Sequence, residues 1–198
     1  MKCFLFAFIN YYENINGKVV NITDEIPFDI PDNWCWTKIK NISNSYIGLT
    51  YKPSDISEKG KYLVLRSSNI KNGKLDLNDN VRVNASINDK LLVHKNDIII
   101  CARNGSKKLV GKSALIDIDL NNTTFGAFMA ICKTPIYNYV YLFLQSQMFY
   151  KQLNKTSGTT TINQLTQNAF NEFILPIPTI KEQMNIHNKI ELLFNYIK

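Results

Sequence analysis

Short apolar runs, each bounded by polar and turn-forming residues, recur along most of the chain, and this pattern predicts a protein rich in short β-strands. The clearest run is IIICA at residues 98–102, which lies between turn residues at 96–97 and 104–105 and predicts a buried strand. Further strands are predicted at residues 34–39, 62–65, 114–116, 125–131 and 173–178. The run at 34–39 is the first predicted strand, because residues 10–33 are polar and turn-rich, which predicts a connector.

Local turn signals refine this strand pattern. Asn72-Gly73 predicts a tight turn, since both residues tolerate a positive φ. Residues 75–97 alternate only weakly and contain scattered Asn and Asp, which predicts short strands and loops. We therefore expect a chain in which loops make up a large share of the surface.

Two stretches carry a helical period instead. Pro135 marks the start of the first, a single helix extending to about residue 153, whose apolar stripe is Tyr137, Tyr141, Leu144, Met148 and Leu153. The second begins near Lys181 and runs to the end of the chain. Its apolar residues follow heptad spacing and form a predicted helix interface: Ile186, Ile190, Leu193 and Ile197. A helix this short is marginal alone in water, so it should pack on its own domain or on another chain.

Charge points to an anionic partner. The chain has 198 residues, 45% of them hydrophobic, with a net charge of +7 and a pI near 9.1. No acidic residue occurs between residues 120 and 171. The loop after the strand at 98–102 is also free of acids up to Asp117, and it carries Arg103, Lys107, Lys108 and Lys112. A cationic loop held between two apolar strands is suited to binding a polyanion.

Several kinds of chemistry are excluded by spacing. The cysteines at 3, 35, 101 and 132 contain no C-x-x-C pair, and His94 and His187 are far apart, so metal-ligand spacing is absent. The P-loop pattern has four residues between its glycines, whereas five separate Gly105 and Gly111, and a strand rather than a helix follows. No G-x-S-x-G elbow occurs, and no acid cluster suits a magnesium-dependent nuclease. We therefore expect a binding module without catalysis and without a cofactor.

The cellular compartment follows from similar reasoning. The four cysteines are typical of ordinary buried thiols in a reducing environment. The apolar residues 1–9 are too few for a signal peptide and lack a cleavage site, and no run approaches the ~20 residues of a membrane span. We expect a soluble cytoplasmic protein.

In addition, the chain resembles a target-recognition half of the DNA-specificity subunit of type I restriction–modification systems. The resemblance rests on short blocks in family order that cover residues 27–197. These are IPDNW at 30–34, LRSSNI at 65–70 with Gly73, KNDII at 95–99, RNG at 103–105, VGK at 110–112, the helix 141–153, SGTT at 157–160, LPIP at 175–178, and EQ at 182–183 with Ile186. No block is specific alone, but their order and spacing together are.

The resemblance implies an α+β fold: a β-rich target-recognition domain with peripheral helices, followed by the start of a long coiled-coil-type helix. It divides the chain into an N-terminal lead-in at 1–26, a DNA target-recognition domain at 27–178, and a spacer or dimerisation helix at 179–198. In the family, two such units form one subunit, each unit reads half of a split double-stranded DNA site, and the helices pair.

The same resemblance also implies partner proteins. Modification (methyltransferase) subunits dock on the helical spacer, and restriction subunits join through them. Because only one recognition domain is present, this chain could be a natural half-subunit that self-dimerises or pairs with a second recognition domain, a truncated gene, or a fragment. The lead-in before Pro27 resembles the approach to a second recognition domain, which favours a fragment or a recombined half-gene.

Candidate DNA-contacting residues follow from these two lines of reasoning. We expect Arg103, Lys107, Lys108 and Lys112 to neutralise phosphates, with hydroxyl groups at Ser106, Thr159, Thr160 and Thr161 as hydrogen-bonding partners. Base edges are assigned to Arg66, Asn69, Arg82 and Asn104, with Ser67 beside them. Residues 67–69 have an open alternative, because Ser-Ser-Asn at the end of a strand is also ordinary turn chemistry.

Two rival functions are also compatible with the sequence. One is an assembly or regulatory module that binds partner chains through its terminal helix, with a basic surface that serves only solubility. The other is the recognition domain of a fused restriction–methylation enzyme, which predicts a catalytic domain upstream in the same gene.

Overall fold

A computed structural model describes residues 10–15, 17–156 and 163–196 of the chain. Within these residues the strands are β1 Tyr12–Ile15, β2 Lys18–Asn21, β3 Cys35–Lys38, β4 Asn44–Ile47, β5 Tyr62–Leu65, β6 Ile70–Lys71, β7 Lys74–Leu75, β8 Val81–Val83, β9 Ile98–Cys101, β10 Ser113–Leu115, β11 Thr123–Phe125, β12 Met129–Lys133 and β13 Ile174–Ile177. The α-helices are α1 Ile39–Ile42, α2 Tyr137–Leu144, α3 Gln147–Thr156, α4 Gln167–Glu172 and α5 Ile180–Tyr196. The predicted α+β class with peripheral helices and a terminal helix is confirmed.

The central sheet has the strand order β10-β9-β12-β4, and its strands are antiparallel. All four residues of β9 are buried, as the continuous apolar run predicted for a strand covered on both faces. The alternation of a strand divides them between two cores. Ile98 and Ile100 belong to the core on the helical side, while Ile99 and Cys101 belong to the core on the other side.

Helices cover the first face of this sheet. Phe143 and Leu144 of α2, Phe149 and Leu153 of α3, and Phe170 of α4 fill that core. Phe149 is its centre, because its ring makes edge contacts with Phe143, Tyr150 and Phe173 at centroid distances of 5.8, 5.2 and 5.8 Å. Burying such a side chain stabilises the fold by ~2–3 kcal/mol.

A second sheet covers the other face. Its order is β11-β5-β8, with β11 and β5 parallel. Leu63 and Leu65 of β5, together with Phe125 of β11, form the core between the two sheets. The result is a layer of helices, the central sheet and the smaller sheet, stacked in that order.

The single strand predicted at 125–131 is wrong. The chain instead forms a turn at residues 126–128, where β11 ends in the smaller sheet and β12 begins in the central one. Met129 N–H donates to the carbonyl of Gly126 at 2.8 Å and closes the turn. Gly126 and Ala127 interrupt the large apolar residues of this run, and that interruption was the available signal.

The single helix predicted at 135–153 is also wrong in detail. It is divided into α2 and α3 at Gln145 and Ser146. The Ser146 hydroxyl donates to the carbonyl of Phe143 at 2.6 Å and accepts the N–H of Phe149 at 3.3 Å, so one side chain ends the first helix and begins the second. The break lets Phe143 and Phe149 enter the same core from two directions.

The N-terminal region contains structure that the polar sequence did not predict. In place of a connector at residues 10–33, β1 and β2 form a hairpin whose β2 is exposed along its length. Glu13 attaches this hairpin to the body through an ion pair with Lys38, 2.9 Å long. Residues 1–9 lie outside the described residues. The division at residues 26–27 stays a prediction.

The cysteines follow the prediction only in part. Cys101 and Cys132 are buried free thiols, and burial raises the pKa of the Cys132 thiol to about 11. Cys35, expected to be buried, is exposed at the start of β3. Cys3 lies outside the described residues.

The terminal helix begins with a capping box. The Thr179 hydroxyl oxygen accepts the N–H of Glu182 at 3.4 Å, and the Glu182 carboxylate accepts the N–H of Thr179 at 3.2 Å. α5 contacts α2. Among the described residues, no helix has both the length and the apolar character needed to cross a membrane.

Candidate nucleic-acid interface

Four strand ends meet at one edge of the molecule. The segments that leave β4, β5, β9 and β11 are joined there by backbone hydrogen bonds. The donor and acceptor pairs are Leu49 to Phe125 at 2.7 Å, Gly126 to Leu65 at 3.0 Å, and Arg103 to Phe128 at 2.9 Å. We call this edge the rim, and it comprises residues 49–51, 66–68, 103–108 and 126–128.

The cationic loop between β9 and β10 extends the rim. Its base is anchored where Gly111 N–H donates to Cys101 O at 2.8 Å and Cys101 N–H donates to Lys112 O at 2.9 Å. Burial raises the pKa of the Cys101 thiol, which therefore stays neutral. Residues Lys107–Leu109 form a 3₁₀ turn that leaves both lysines exposed to solvent. Lys107 and Lys108 are thus exposed, and their contact with a DNA phosphate stays a prediction.

Lys112 has a different position from the one predicted. Its side chain is half-buried, and its ammonium donates to the carbonyl of Ile70 at 2.9 Å. It therefore holds β6 against the central body. This bond gives Lys112 a role in packing, and its contact with a DNA phosphate stays a prediction.

Asn69 is not available to read a base. It is 1% exposed, and its amide donates to the carbonyls of Asp76 at 2.9 Å and Asp79 at 2.8 Å. Its side-chain oxygen accepts the N–H of Arg66 at 2.8 Å. Asn69 therefore serves the turn, as the alternative interpretation of residues 67–69 states, because the hydrogen bonds of its side-chain amide are made within the fold.

Arg82 also serves the fold. Its Nε donates to the carbonyl of Gly60 at 2.7 Å, and its terminal nitrogen donates to the carbonyl of Lys61 at 3.1 Å. These bonds tie β8 to the segment that leads into β5. Its contact with a base edge stays a prediction, for which only the remaining N–H groups of the guanidinium are available.

Arg66 and Ser67 do lie on the rim. Arg66 donates to both carboxylate oxygens of Asp79 at 2.6 Å. A hydrogen bond from Ser68, aided by the charge of Arg66, holds the pKa of the Asp79 carboxyl below its usual value. Arg66 is therefore a paired cation at the rim and not a free one.

Asn104 joins two parts of the rim. Its amide nitrogen donates to the hydroxyl of Ser67 at 3.3 Å, and its side-chain oxygen accepts the N–H of Ser106 at 3.0 Å. The segment after α3 meets the same loop, because Asn163 donates to the carbonyl of Gly105 at 3.2 Å. Asn104 and Ser67 are thereby brought together, as the sequence could not have shown.

Arg103 and Phe128 are both exposed on the rim and lie side by side. The guanidinium carbon of Arg103 lies 5.3 Å from the centroid of the Phe128 ring, within the range of a cation–π contact. Phe128 is 59% exposed, although the sequence placed it within a buried strand. Beside it opens a cleft of about 570 Å³, whose lining includes Thr50, Tyr51, Arg66, Ser67, Phe128 and the acidic Asp79, which pairs with Arg66.

Some of the predicted residues fall outside the part of the chain that the structure describes. They are Thr159, Thr160 and Thr161, and also Ile197 of the predicted helix stripe. On α5, Ile186 and Ile190 are half-buried, whereas Leu193 is 60% exposed. The stripe therefore packs partly on its own domain and then extends beyond it.

Comparison with known sequences identifies the class of this domain. The family described as the type I restriction modification DNA specificity domain matches residues 31–198, and the chain belongs to that family. This confirms the resemblance noted in the sequence.

Individual relatives agree with this membership. The chain is 29% identical over 171 residues to the specificity subunit of the type I restriction enzyme StySPI from Salmonella potsdam, covering 83% of this chain and 37% of that protein. The same figures hold for the EcoKI specificity subunit from Escherichia coli strain K12. The chain thus spans little more than a third of these relatives.

Solved structures share the fold. The HsdS subunit from Thermoanaerobacter tengcongensis superposes with a TM-score of 0.65 at 14% identity, over 86% of this chain and 40% of that one. A type I restriction-modification system S subunit from M. genitalium gives a TM-score of 0.56 at 18% identity, over 85% and 41% of the two chains. The α+β architecture is therefore shared.

Proposed function

We propose that this chain binds double-stranded DNA sequence-specifically, as one recognition half of a type I specificity subunit, and performs no catalysis itself. It directs modification subunits, and through them restriction subunits, to one half of a bipartite site in cytoplasmic DNA. Membership of the DNA specificity family supports this assignment over a module that serves only protein assembly.

The observation that carries the proposal is the composition of the rim. Exposed Arg103 lies next to Asn104, which bonds Ser67, and exposed Lys107 and Lys108 follow in the same loop. Cations of this kind bind the phosphate backbone, and amide and hydroxyl groups can bond to base edges. Phosphate and base contacts from one continuous edge are what duplex recognition needs.

The partner surface is assigned to the terminal helix. Beyond its contact with α2, α5 exposes Ile180, Met184, Leu192, Leu193 and Tyr196. Apolar residues exposed along one helix suit pairing with a second helix. A second recognition domain, or a second copy of this chain, would supply that helix.

Selection from a random duplex library tests the proposal. The chain is incubated with the library at moderate salt, and the retained duplexes are amplified and sequenced over several rounds. We expect enrichment of one short continuous motif, corresponding to half of a split site. Retention with no enriched motif would contradict sequence-specific binding, and absence of retention at low salt would contradict DNA binding altogether.

A further inference from the structure

Phe128 is an apolar side chain held at the surface on a fixed backbone. Its carbonyl accepts the N–H groups of both Ala102 and Arg103, each at 2.9 Å. Its neighbour Met129 is 1% exposed, and Phe125 at the other side of the turn is fully buried. The backbone of this turn is therefore bound to the central sheet and to the smaller sheet at once, which fixes the position of the Phe128 Cα atom from which the ring projects.

A single exposed hydrophobic residue is ordinary on a protein surface. The position of this one is not explained by packing, because 59% of the residue stays in solvent. The ring lines the 570 Å³ cleft together with the polar residues Thr50 and Ser67, and the guanidinium carbon of Arg103 lies 5.3 Å from the ring centroid. The same lining includes apolar Leu49 and Met129, and a lining that combines apolar with hydrogen-bonding groups matches a ligand surface that is itself mixed.

The edges of DNA bases present such a surface in the major groove. Phosphates offer charge and oxygen atoms, which a phenyl ring does not bind. The C5-methyl group of thymine is the apolar feature of the major groove, and Phe is among the side chains that contact it. Cations beside the ring attract the backbone that flanks the base, which keeps the ring close to the groove.

We propose that Phe128 is a specificity-determining residue, which packs against the C5-methyl group of a thymine in the recognised duplex. This inference rests on the proposed DNA binding and adds the group that is read. Arg103 supplies the adjacent positive charge, and the fixed turn sets the depth at which the ring meets the base.

The contact is tested by measuring the affinities of wild type and Phe128→Ala for duplexes that carry thymine or deoxyuridine at one position. The selected duplex is prepared with each thymine replaced in turn by deoxyuridine, which removes only the methyl group. Wild type should lose about fourfold in affinity at one position, the factor for one buried methyl group. Phe128→Ala should bind the thymine duplex more weakly and show no difference between thymine and deoxyuridine at that position. Phe128→Leu should keep part of the preference.

A matched control is available in Phe28, which is 51% exposed and packs its ring against Trp36 away from the rim. Phe28→Ala should leave the thymine preference unchanged. If Phe128→Ala retains the wild-type thymine preference, or weakens binding equally to both duplexes, the inference is overturned. Its failure differs from failure of DNA binding, because wild type would still bind the selected duplex with a salt-dependent affinity.

Discussion

Gly111, near the end of the cationic loop, packs so closely on Leu153 of α3 that an added Cβ atom would lie 2.6 Å from the Leu153 Cδ2 atom. Its φ of +86° is also one that other residues adopt only with strain. The loop that carries Lys107 and Lys108 is thus seated on the helical core at a point where only glycine fits.

Gly111→Ala should therefore lower the free energy of unfolding by about 2–4 kcal/mol, through backbone strain and crowding against α3. Chemical denaturation measures this change. Gly105→Ala in the same loop is the control, because a Cβ there meets nothing within 4 Å. Equal effects of the two substitutions would show that the close approach to α3 is unimportant.

Asn69→Ala should destabilise the protein by about 2–4 kcal/mol, since it removes a buried side chain and leaves the carbonyls of Asp76 and Asp79 and the Arg66 N–H without their partners. Thermal or urea unfolding gives the value. Asn80→Ala, at an exposed position nearby, should change stability by less than about 0.5 kcal/mol. A stable Asn69→Ala protein with altered DNA preference would restore Asn69 as a base reader.

Lys107→Ala combined with Lys108→Ala should weaken duplex binding for every sequence and reduce the slope of log K against log salt by about 1.8, or about 0.9 for each phosphate that is no longer neutralised. Fluorescence anisotropy over a salt series measures the slope. The control replaces Lys18 and Lys181, which lie in β2 and α5 away from the rim. An unchanged slope in the rim variant would remove this loop from the DNA interface.

Tyr139 links α2 to β13 by donating to the carbonyl of Pro176 at 2.7 Å, and burial raises its pKa to about 12. In the unfolded chain the pKa of this phenol is ~10, so the unfolded state loses the proton more easily than the folded state. The contribution of the phenol to stability is therefore complete below about pH 10 and declines as the pH rises towards 12. Near neutral pH, the free energy of unfolding of the wild type should be about 1 kcal/mol higher than that of Tyr139→Phe. That difference should shrink above about pH 10.

Urea unfolding of both proteins across this range provides the test, with Tyr12→Phe, at a 59% exposed position, as control. Comparison with the phenylalanine variant isolates this group from the lysines that titrate in the same range. A difference that stays constant to about pH 12 would contradict the assigned burial of the phenol.

On α5, Ile186→Ala should lower the stability of the isolated chain by about 1–2 kcal/mol, because Ile186 is half-buried. Leu193→Ala should change it by less than about 0.5 kcal/mol, since Leu193 is 60% exposed. Denaturation at low protein concentration makes the comparison. If the Leu193 effect grows with concentration, the helix already pairs between copies of the chain.

How far the sequence predicts this structure depends on whether a feature is local. The buried run in β9 and the Asn72-Gly73 turn were predicted, and the turn has positive φ at both residues, 49° and 74°. The turn at Phe128 was missed, because its carbonyl is fixed by Ala102 and Arg103, which are distant in sequence. The bond of Lys112 was missed for the same reason, since its partner Ile70 belongs to another hairpin.

The candidate interface shows the same limit. Lys107 and Lys108 could be chosen from charge alone, because exposure is the default for lysine. Asn69 and Arg82 looked equally suitable, yet their partners are backbone carbonyls that only the folded chain brings near. Side-chain type thus indicates which residues can bind DNA, but not which of their amide, ammonium and guanidinium groups the fold already uses.

The antiparallel pairing of β13 with β3 has a consequence for how such a domain can be inherited. Ile177 lies opposite Cys35, so the segment between them begins and ends at adjacent points. A segment whose two ends lie side by side can be exchanged as one unit, because its internal packing is carried with it. We expect such an exchange to replace the rim as a whole, together with the surface of α2 that α5 contacts.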